Sequence, residues 1–343
     1  MKLGTFLKSA LGPAFADVIS PDLEVDLFVW IDLELRSRWQ IDLYRYEDGV
    51  ARLCSFTHRW WTGRKMQPWA FVSPSSRGIG LEVARRILST TSLPLVATAR
   101  KDLDQTRESI LTGLKDVKED RLNVLKVDVL GACNHELVYC DLLTRSDEST
   151  IADAASKCTE LFPKKEHYLH MSFALTGILF PEKSPSQIKY DDALLTFQTN
   201  TLGPMMLLKH FSPLLPRKST KLSEDSNLPK QAVWATMSAR VGSISDNQLG
   251  GWYSYRASKA AVNQMTKTFD NYLKTSAGDN AIAISLHPGT VKTGLSKEFW
   301  SNVKEDKLFS VEFAAEKLLE VVNSRTVNER GRCWDWKGEE IPA

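Results

Sequence analysis

Tyr255 and Lys259 stand four residues apart in the segment Gly251-Trp252-Tyr253-Ser254-Tyr255-Arg256-Ala257-Ser258-Lys259. On a helix this spacing places both side chains on one face. A free phenol titrates near about 10, too high for efficient proton exchange at neutral pH. A nearby ammonium favours the phenolate and is expected to lower that value. A tyrosine so tuned can protonate a carbonyl oxygen while hydride arrives from a nicotinamide. The same spacing also occurs in incidental aromatic–lysine pairs, so the reading needs companions elsewhere in the chain.

One companion is the glycine turn Ser73-Pro74-Ser75-Ser76-Arg77-Gly78-Ile79-Gly80, between a short apolar run and an amphipathic stretch. After a strand and before a helix, such glycines let backbone approach a pyrophosphate, which the helix N-terminus attracts. Ser73, Ser76, Arg77, Gly78, Ile79 and Gly80 are the candidate contacts. The next apolar run ends Ala97-Thr98-Ala99-Arg100. An acidic residue at that point serves the ribose hydroxyls of NAD, whereas arginine pairs with a 2′-phosphate. Guanidinium forks suit phosphate, so Arg77 and Arg100 favour NADP (NADPH) over NAD. Asp128-Val129, ending a third run, is placed near an adenine ring.

These residues need a scaffold of alternating strands and helices. WAFVS, LPLVATAR, RLNVLKVDV, HYLHMSFAL, QAVWATMS and AIAISLHPG read as six strands, with helical patterns between them. That alternation predicts an α/β, doubly wound parallel sheet of the Rossmann-like kind, covered on both faces. The expected organisation is a single domain over 66–343 with an N-terminal extension over 1–65. The extension carries VDLFVWIDLELRSRWQIDLYRYEDGV, whose alternation suggests one or two strands. An insertion is expected at 131–146, because removing it would leave a short strand-to-helix connection into DESTI, with Asp147 or Ser149 as helix cap. Residues 216–230 read as an exposed loop.

Composition narrows the class. The chain has 343 residues, with 44 basic and 42 acidic side chains and a formal net charge of +2. This near-balance argues against a nucleic-acid binder. The five cysteines include no CxxC pair and have no histidine cluster beside them. A disulfide framework and a metal site are therefore not expected, and a reducing, cytoplasmic setting is the default. No apolar run reaches the length of a membrane helix, so no membrane partner is expected.

Taken together, Ser-Arg-Gly-Ile-Gly at 76–80, Asp128-Val129, Asn200, serines at 238–243, Tyr255-Arg-Ala-Ser-Lys259 and His287-Pro288-Gly289-Thr290-Val291-Lys292-Thr293 resemble the short-chain dehydrogenase/reductase family. The stretch from Val241 to Tyr255 looks most like its sniffer-type carbonyl reductase and C-factor-like branch. The resemblance implies NADP(H)-dependent interconversion of a small-molecule carbonyl and an alcohol. Tyr255 would be the general acid/base, and Lys259 would hold the nicotinamide ribose and tune Tyr255. Asn200 would anchor a water that relays protons, and a serine would hold the substrate carbonyl. Pro288, Gly289, Thr290, Val291 and Thr293 would contact the nicotinamide or its phosphates. It also implies a homodimer or homotetramer. Ser243 fits the usual distance before the tyrosine; matching from the strand end picks Ser238 instead and places Ala239 at the usual position. Phe299, Trp300 and Phe309 read as an apolar lid or as core cover.

Three departures stand out. Pro74 replaces the family's first glycine, Ala174-Leu175-Thr176-Gly177 replaces its Asn-Asn-Ala-Gly, and the insertion at 131–146 lies near the cofactor edge. They leave room for a non-catalytic, cofactor-sensing or scaffolding descendant. A nucleotide-sugar epimerase or dehydratase, which also uses Tyr-xxx-Lys, ranks last because only about 50 residues follow Gly294.

Overall fold

The computed structural model describes residues 29–31, 39–47, 50–58, 66–130 and 148–343. The chain divides into two compact units, Met1–Arg64 and Lys65–Ala343. In the first, β1 (Val29–Ile31), β2 (Trp39–Glu47) and β3 (Val50–His58) form an antiparallel sheet in that order. β1 and β2 lie in the stretch where one or two strands were expected, and β2 pairs on its other side with β3, which follows that stretch.

The second unit is built on eight strands. They are β4 (Gln67–Ser73), β5 (Leu95–Ala99), β6 (Leu122–Lys126), β7 (His167–Ala174), β8 (Ala232–Met237), β9 (Ala281–His287), β12 (Cys333–Asp335) and β13 (Glu340–Ile341). A separate parallel pair, β10 (Thr290–Val291) and β11 (Leu308–Phe309), lies in the loop after β9. The sheet order is β13-β12-β9-β8-β7-β4-β5-β6, and every neighbouring pair but β12–β13 is parallel. The chain reverses direction across the sheet between β4 and β7. That switch point is where a doubly wound sheet opens a crevice at its carboxyl edge. The doubly wound, Rossmann-like reading of the sequence is the observed fold.

The central strands read as continuous apolar runs because helices cover both faces. One core gathers Val83, Ile87 and Leu88 from α1 (Gly78–Thr90) and Leu318 and Val322 from α7 (Val311–Ser324), against Val72, Val233 and Ile284. The other gathers Leu207 and Phe211 from α5 (Gly203–Phe211) and Phe269 from α6 (Tyr253–Ser276), against Phe71 and Trp234. The remaining helices are α2 (Leu103–Leu111), α3 (Ser149–Leu161) and α4 (Tyr190–Phe197).

Two sequence expectations need comment. The insertion at 131–146 and the cap Asp147 lie outside the described residues. Helix α3 begins at Ser149, so Glu148 rather than Ser149 occupies the cap position, with no side-chain capping bond. Among the described residues, no helix is long and apolar enough to cross a membrane.

Candidate functional site

The turn after β4 is built by close backbone approach. Gly78 has φ of +59°, and a Cβ on Gly80 would fall 1.9 Å from the Pro74 carbonyl oxygen. Pro74 follows a cis peptide bond. Its carbonyl is the surface on which Gly80 packs. Ser73 and Ser75 face inward. Thr98 Oγ1 donates to Ser73 Oγ at 2.8 Å, and Ser75 Oγ donates to the Val72 carbonyl at 2.8 Å. Ser76 and Arg77 point to solvent instead, as does Arg100 past the end of β5. Neither guanidinium has a hydrogen-bond or ion-pair partner among the described residues. The first-turn amides of α1 have no intrahelical acceptor. Three elements of an anion site thus stand at one edge: free N–H groups, a helix N-terminus and two unpaired guanidinium groups.

The other walls come from distant loops. Val129 lies against Gly203, where a Cβ would sit 2.8 Å from it. The Asp128 carboxylate turns back to accept from Leu130 N at 3.0 Å. The segment after β9 crosses towards the glycine turn, with Thr293 Cγ2 3.6 Å from the Cβ position of Gly78. Gly289, with φ of +76°, leaves space for Phe309, which a Cβ would meet at 2.6 Å. Ser296, which the sequence reading passed over, is the hub of this loop: its hydroxyl donates to the Val291 carbonyl and accepts from Trp300 Nε1 at 2.9 Å.

Helix α6 carries the centre. Its buried stripe is polar for two turns (Ser254, Tyr255, Ser258, Lys259) and then turns mainly apolar with Val262, Met265 and Phe269. A core-facing stripe made of polar groups calls for partners, and each has one except the Tyr255 hydroxyl. Lys259 Nζ donates to the Met237 carbonyl at 2.9 Å and to the Thr176 carbonyl at 3.4 Å, and lies 5.8 Å from the centre of the Tyr255 ring. Ser258 Oγ donates to the Tyr255 carbonyl at 2.8 Å.

Burial reverses the expected tuning. Desolvation pushes the Tyr255 phenol up to about 12 and the Lys259 ammonium down to about 7. The lysine was expected to lower the phenol's pKa by its charge, but the burial that surrounds both groups disfavours that charge as well. At neutral pH the phenol is protonated and the amine is near its own midpoint.

Asn200 sits in a π-helical turn, Gln198–Leu202, between α4 and α5. Such wide turns are often found at functional sites. Its amide binds protein at every polar atom. Oδ1 accepts from Ile178 N at 2.8 Å, while Nδ2 donates to the Ile178 carbonyl and to Ser258 Oγ, each at 3.0 Å. The side chain bridges the loop after β7 to α6. The two serine candidates differ in what they have spent. Ser238 Oγ donates its proton to the Lys259 carbonyl at 3.3 Å. Ser243 Oγ accepts from Asp246 N at 3.0 Å, and its own proton is uncommitted among the described residues.

Several contributors were invisible in sequence. Trp252 takes a left-handed conformation with φ of +50°, unusual for a bulky residue. Its ring lies 5.0 Å from Phe299 and 6.2 Å from Tyr255, giving the tyrosine an aromatic flank. Arg240 Nη2 reaches Asp335 at 3.0 Å and so ties the loop of Ser243 to β12. Glu182 meets the start of α6. The Gly-Gly before Trp252 is the one local signal that marked this turn; the rest pair across long stretches of chain.

No family model matches the chain. Among curated relatives, 1-hydroxy-2-glutathionyl-2-methyl-3-butene dehydrogenase of Rhodococcus sp. is 29% identical over 187 residues, covering 54% of this chain and 72% of that protein. In structure, the chain is similar to the NADPH-bound carbonyl reductase from chicken fatty liver, with TM-score 0.62 and 22% identity over 81% of this chain and all of that one. The carbonyl reductase Sniffer of Drosophila melanogaster matches with TM-score 0.62 and 21% identity over 81% of this chain and 99% of its own. The chain is thus similar to short-chain dehydrogenase/reductases in motif and in relatives, and to carbonyl reductases of the sniffer type in fold.

Proposed function

We propose that this chain, similar to short-chain dehydrogenase/reductases in motif, relatives and fold, is an NADP(H)-dependent oxidoreductase that interconverts a small-molecule carbonyl and an alcohol. The observation that carries the reading is the polar buried stripe of α6. An interior face holding Tyr255 and Lys259, with Asn200 bridged to it, has no use in packing and a direct use in proton transfer. When bound, the dinucleotide supplies or takes up hydride.

The residues present fit such a group. The first-turn amides of α1 would receive the pyrophosphate, with Gly78 and Gly80 keeping the approach open. Arg77 and Arg100 would pair with a 2′-phosphate, which favours NADP over NAD. The NADPH of the chicken enzyme supports the same choice. Asp128 and Val129 would border the adenine. Pro288, Gly289, Thr290, Val291 and Thr293 would close over the nicotinamide end.

In the reducing direction the Tyr255 O–H donates its proton to the substrate oxygen. A phenol held near about 12 is fully protonated at neutral pH and available as an acid. Lys259, near about 7, can carry a replacement proton at the same pH. Ser243, whose oxygen already accepts from Asp246 N, donates its free proton to the substrate carbonyl. That bond is strengthened by the one it accepts. Ser238 has no such proton to give. Trp252 and Phe299 present an apolar wall beside the reacting carbonyl.

The test is Tyr255→Phe, assayed for NADPH oxidation over a panel of ketones, aldehydes and quinones. Turnover is expected to fall by about 10²–10⁴, the usual contribution of a positioned acid. NADPH affinity, read by tryptophan-to-nicotinamide energy transfer, should stay within a few-fold. A Phe variant with full turnover would overturn the assignment.

A further inference from the structure

We infer that Glu182 is a positioning residue for the proton-transfer site: it caps α6 from outside the helix and fixes the turn on which Tyr255 stands. The inference rests on the function proposed above for Tyr255.

Helix α6 begins without a cap of its own. Trp252, in the cap position, offers no side-chain acceptor and has a left-handed backbone. An uncapped first turn leaves amides without acceptors, which is costly where the turn is buried. Glu182, itself 2% exposed and carried by the loop after β7, supplies the missing acceptors. One carboxylate oxygen, Oε2, accepts from Ser254 N at 2.8 Å, and the other, Oε1, accepts from Ser254 Oγ at 2.6 Å. The Glu182 carbonyl accepts from Trp252 N at 2.6 Å. Three bonds from one residue therefore clamp the two positions that lie one and three residues before Tyr255.

The same loop touches α6 twice more. The Thr176 carbonyl receives Lys259 Nζ, and Ile178 is linked through Asn200 to Ser258. Residues 176, 178 and 182 thus run beside the first two turns of α6 and hold Ser254, Ser258 and Lys259 of its stripe. Asn200 and Lys259 secure the second turn. Arg256 holds the carbonyls of Gly250 and Gly251 just before the helix, and Glu182 holds the amides of its first turn, where the phenol is.

The experiment uses the full chain and the variants Glu182→Ala, Glu182→Gln, Ser254→Ala and the double variant Glu182→Ala/Ser254→Ala. Amide hydrogen exchange across 252–256 reads the cap directly. Glu182→Ala should speed exchange there by about 10–100-fold while 262–273 stay protected. Ionisation of Tyr255, followed with ring-labelled tyrosine and assigned by Tyr255→Phe, should fall towards the ordinary value near about 10 as water enters the turn. With NADPH and phenanthrenequinone as the probe, kcat should drop at least 10-fold and the NADPH Kd should move less than twofold. Glu182→Gln, which keeps an acceptor for Ser254 N, should recover most of all three. The double variant should be no worse than Glu182→Ala, because the bond Ser254→Ala removes is one of the two that Glu182→Ala already removes. Unchanged exchange and an unchanged Tyr255 titration in Glu182→Ala would overturn the proposal. So would a variant that loses protection along all of α6. If Tyr255→Phe keeps full turnover while Glu182→Ala still frees the first turn, the cap stands and the function assigned to Tyr255 fails.

Discussion

Replacing Lys259 by methionine should stabilise the empty protein at neutral pH while disabling it, and the pH dependence of that gain is the sharper test. The ammonium titrates at 10.5 in an ordinary setting and at about 7 in the fold, because burial disfavours its charge. Between those values the unfolded chain holds a proton that the folded chain does not, so stability rises with pH. The cost of burying the charge is fully present below about pH 7, at roughly 4–5 kcal/mol, and vanishes near 10.5. Methionine fills a similar volume without charge. It leaves the Met237 and Thr176 carbonyls without their donor, an offset of about 1–3 kcal/mol. Lys259→Met should therefore be more stable than the parent by about 1–4 kcal/mol at pH 6. The carbonyl offset does not depend on pH, but the charge penalty does. The gap should shrink by roughly 2–3 kcal/mol between pH 6 and pH 9. Tyr255, raised to about 12, keeps its proton in both states across that window and does not contribute. Urea unfolding of both proteins at several pH values gives the difference. A gap that stays flat within about 0.5 kcal/mol would refute the reasoning that burial governs Lys259.

Three further outcomes follow from the same geometry. Asn200→Ala removes three hydrogen bonds and orphans both backbone groups of Ile178, so it should cost about 2–4 kcal/mol in urea unfolding. Gly80→Ala forces a Cβ against the Pro74 carbonyl; expected are about 2–3 kcal/mol of destabilisation in a thermal melt and loss of the NADPH energy-transfer signal. Arg77→Ala and Arg100→Ala should each weaken NADPH by about 10-fold and leave NADH nearly unchanged in parallel titrations.

What the sequence revealed was what short spacing can encode. The six strands and the glycine turn declared themselves as apolar runs and as a Gly-x-Gly between periodic segments. The four-residue step from Tyr255 to Lys259 placed both groups on one face because helix geometry is local. The serine was left open between 238 and 243 because loops have no period; the choice turns on which hydroxyl has already donated. Asn200 was found, but its partners, Ile178 and Ser258, are brought to it by folding rather than by spacing. Tuning of Tyr255 was read with the wrong sign, since a sequence shows neighbouring charges but not the desolvation acting on both. Glu182 had no sequence signal at all: a carboxylate 72 positions before the amide it caps looks like any loop acid. Arg240 and Asp335 are 95 positions apart and equally silent.

That last pair has a practical side. Asp335 belongs to β12, near the far end of the sheet, yet its carboxylate holds the guanidinium that frames the loop of Ser243. Its neighbour Trp336 packs on Phe309, which in turn occupies the space Gly289 leaves open. The stretch 333–341 is therefore part of the scaffolding of the reaction centre rather than trimming at a sheet edge. Tags, fusions or proteolytic clipping placed there will be felt at 240–246 and 289–293. A preparation altered at that end is altered at the proposed site as well, and assays of it should be compared with a protein whose β12–β13 hairpin is intact.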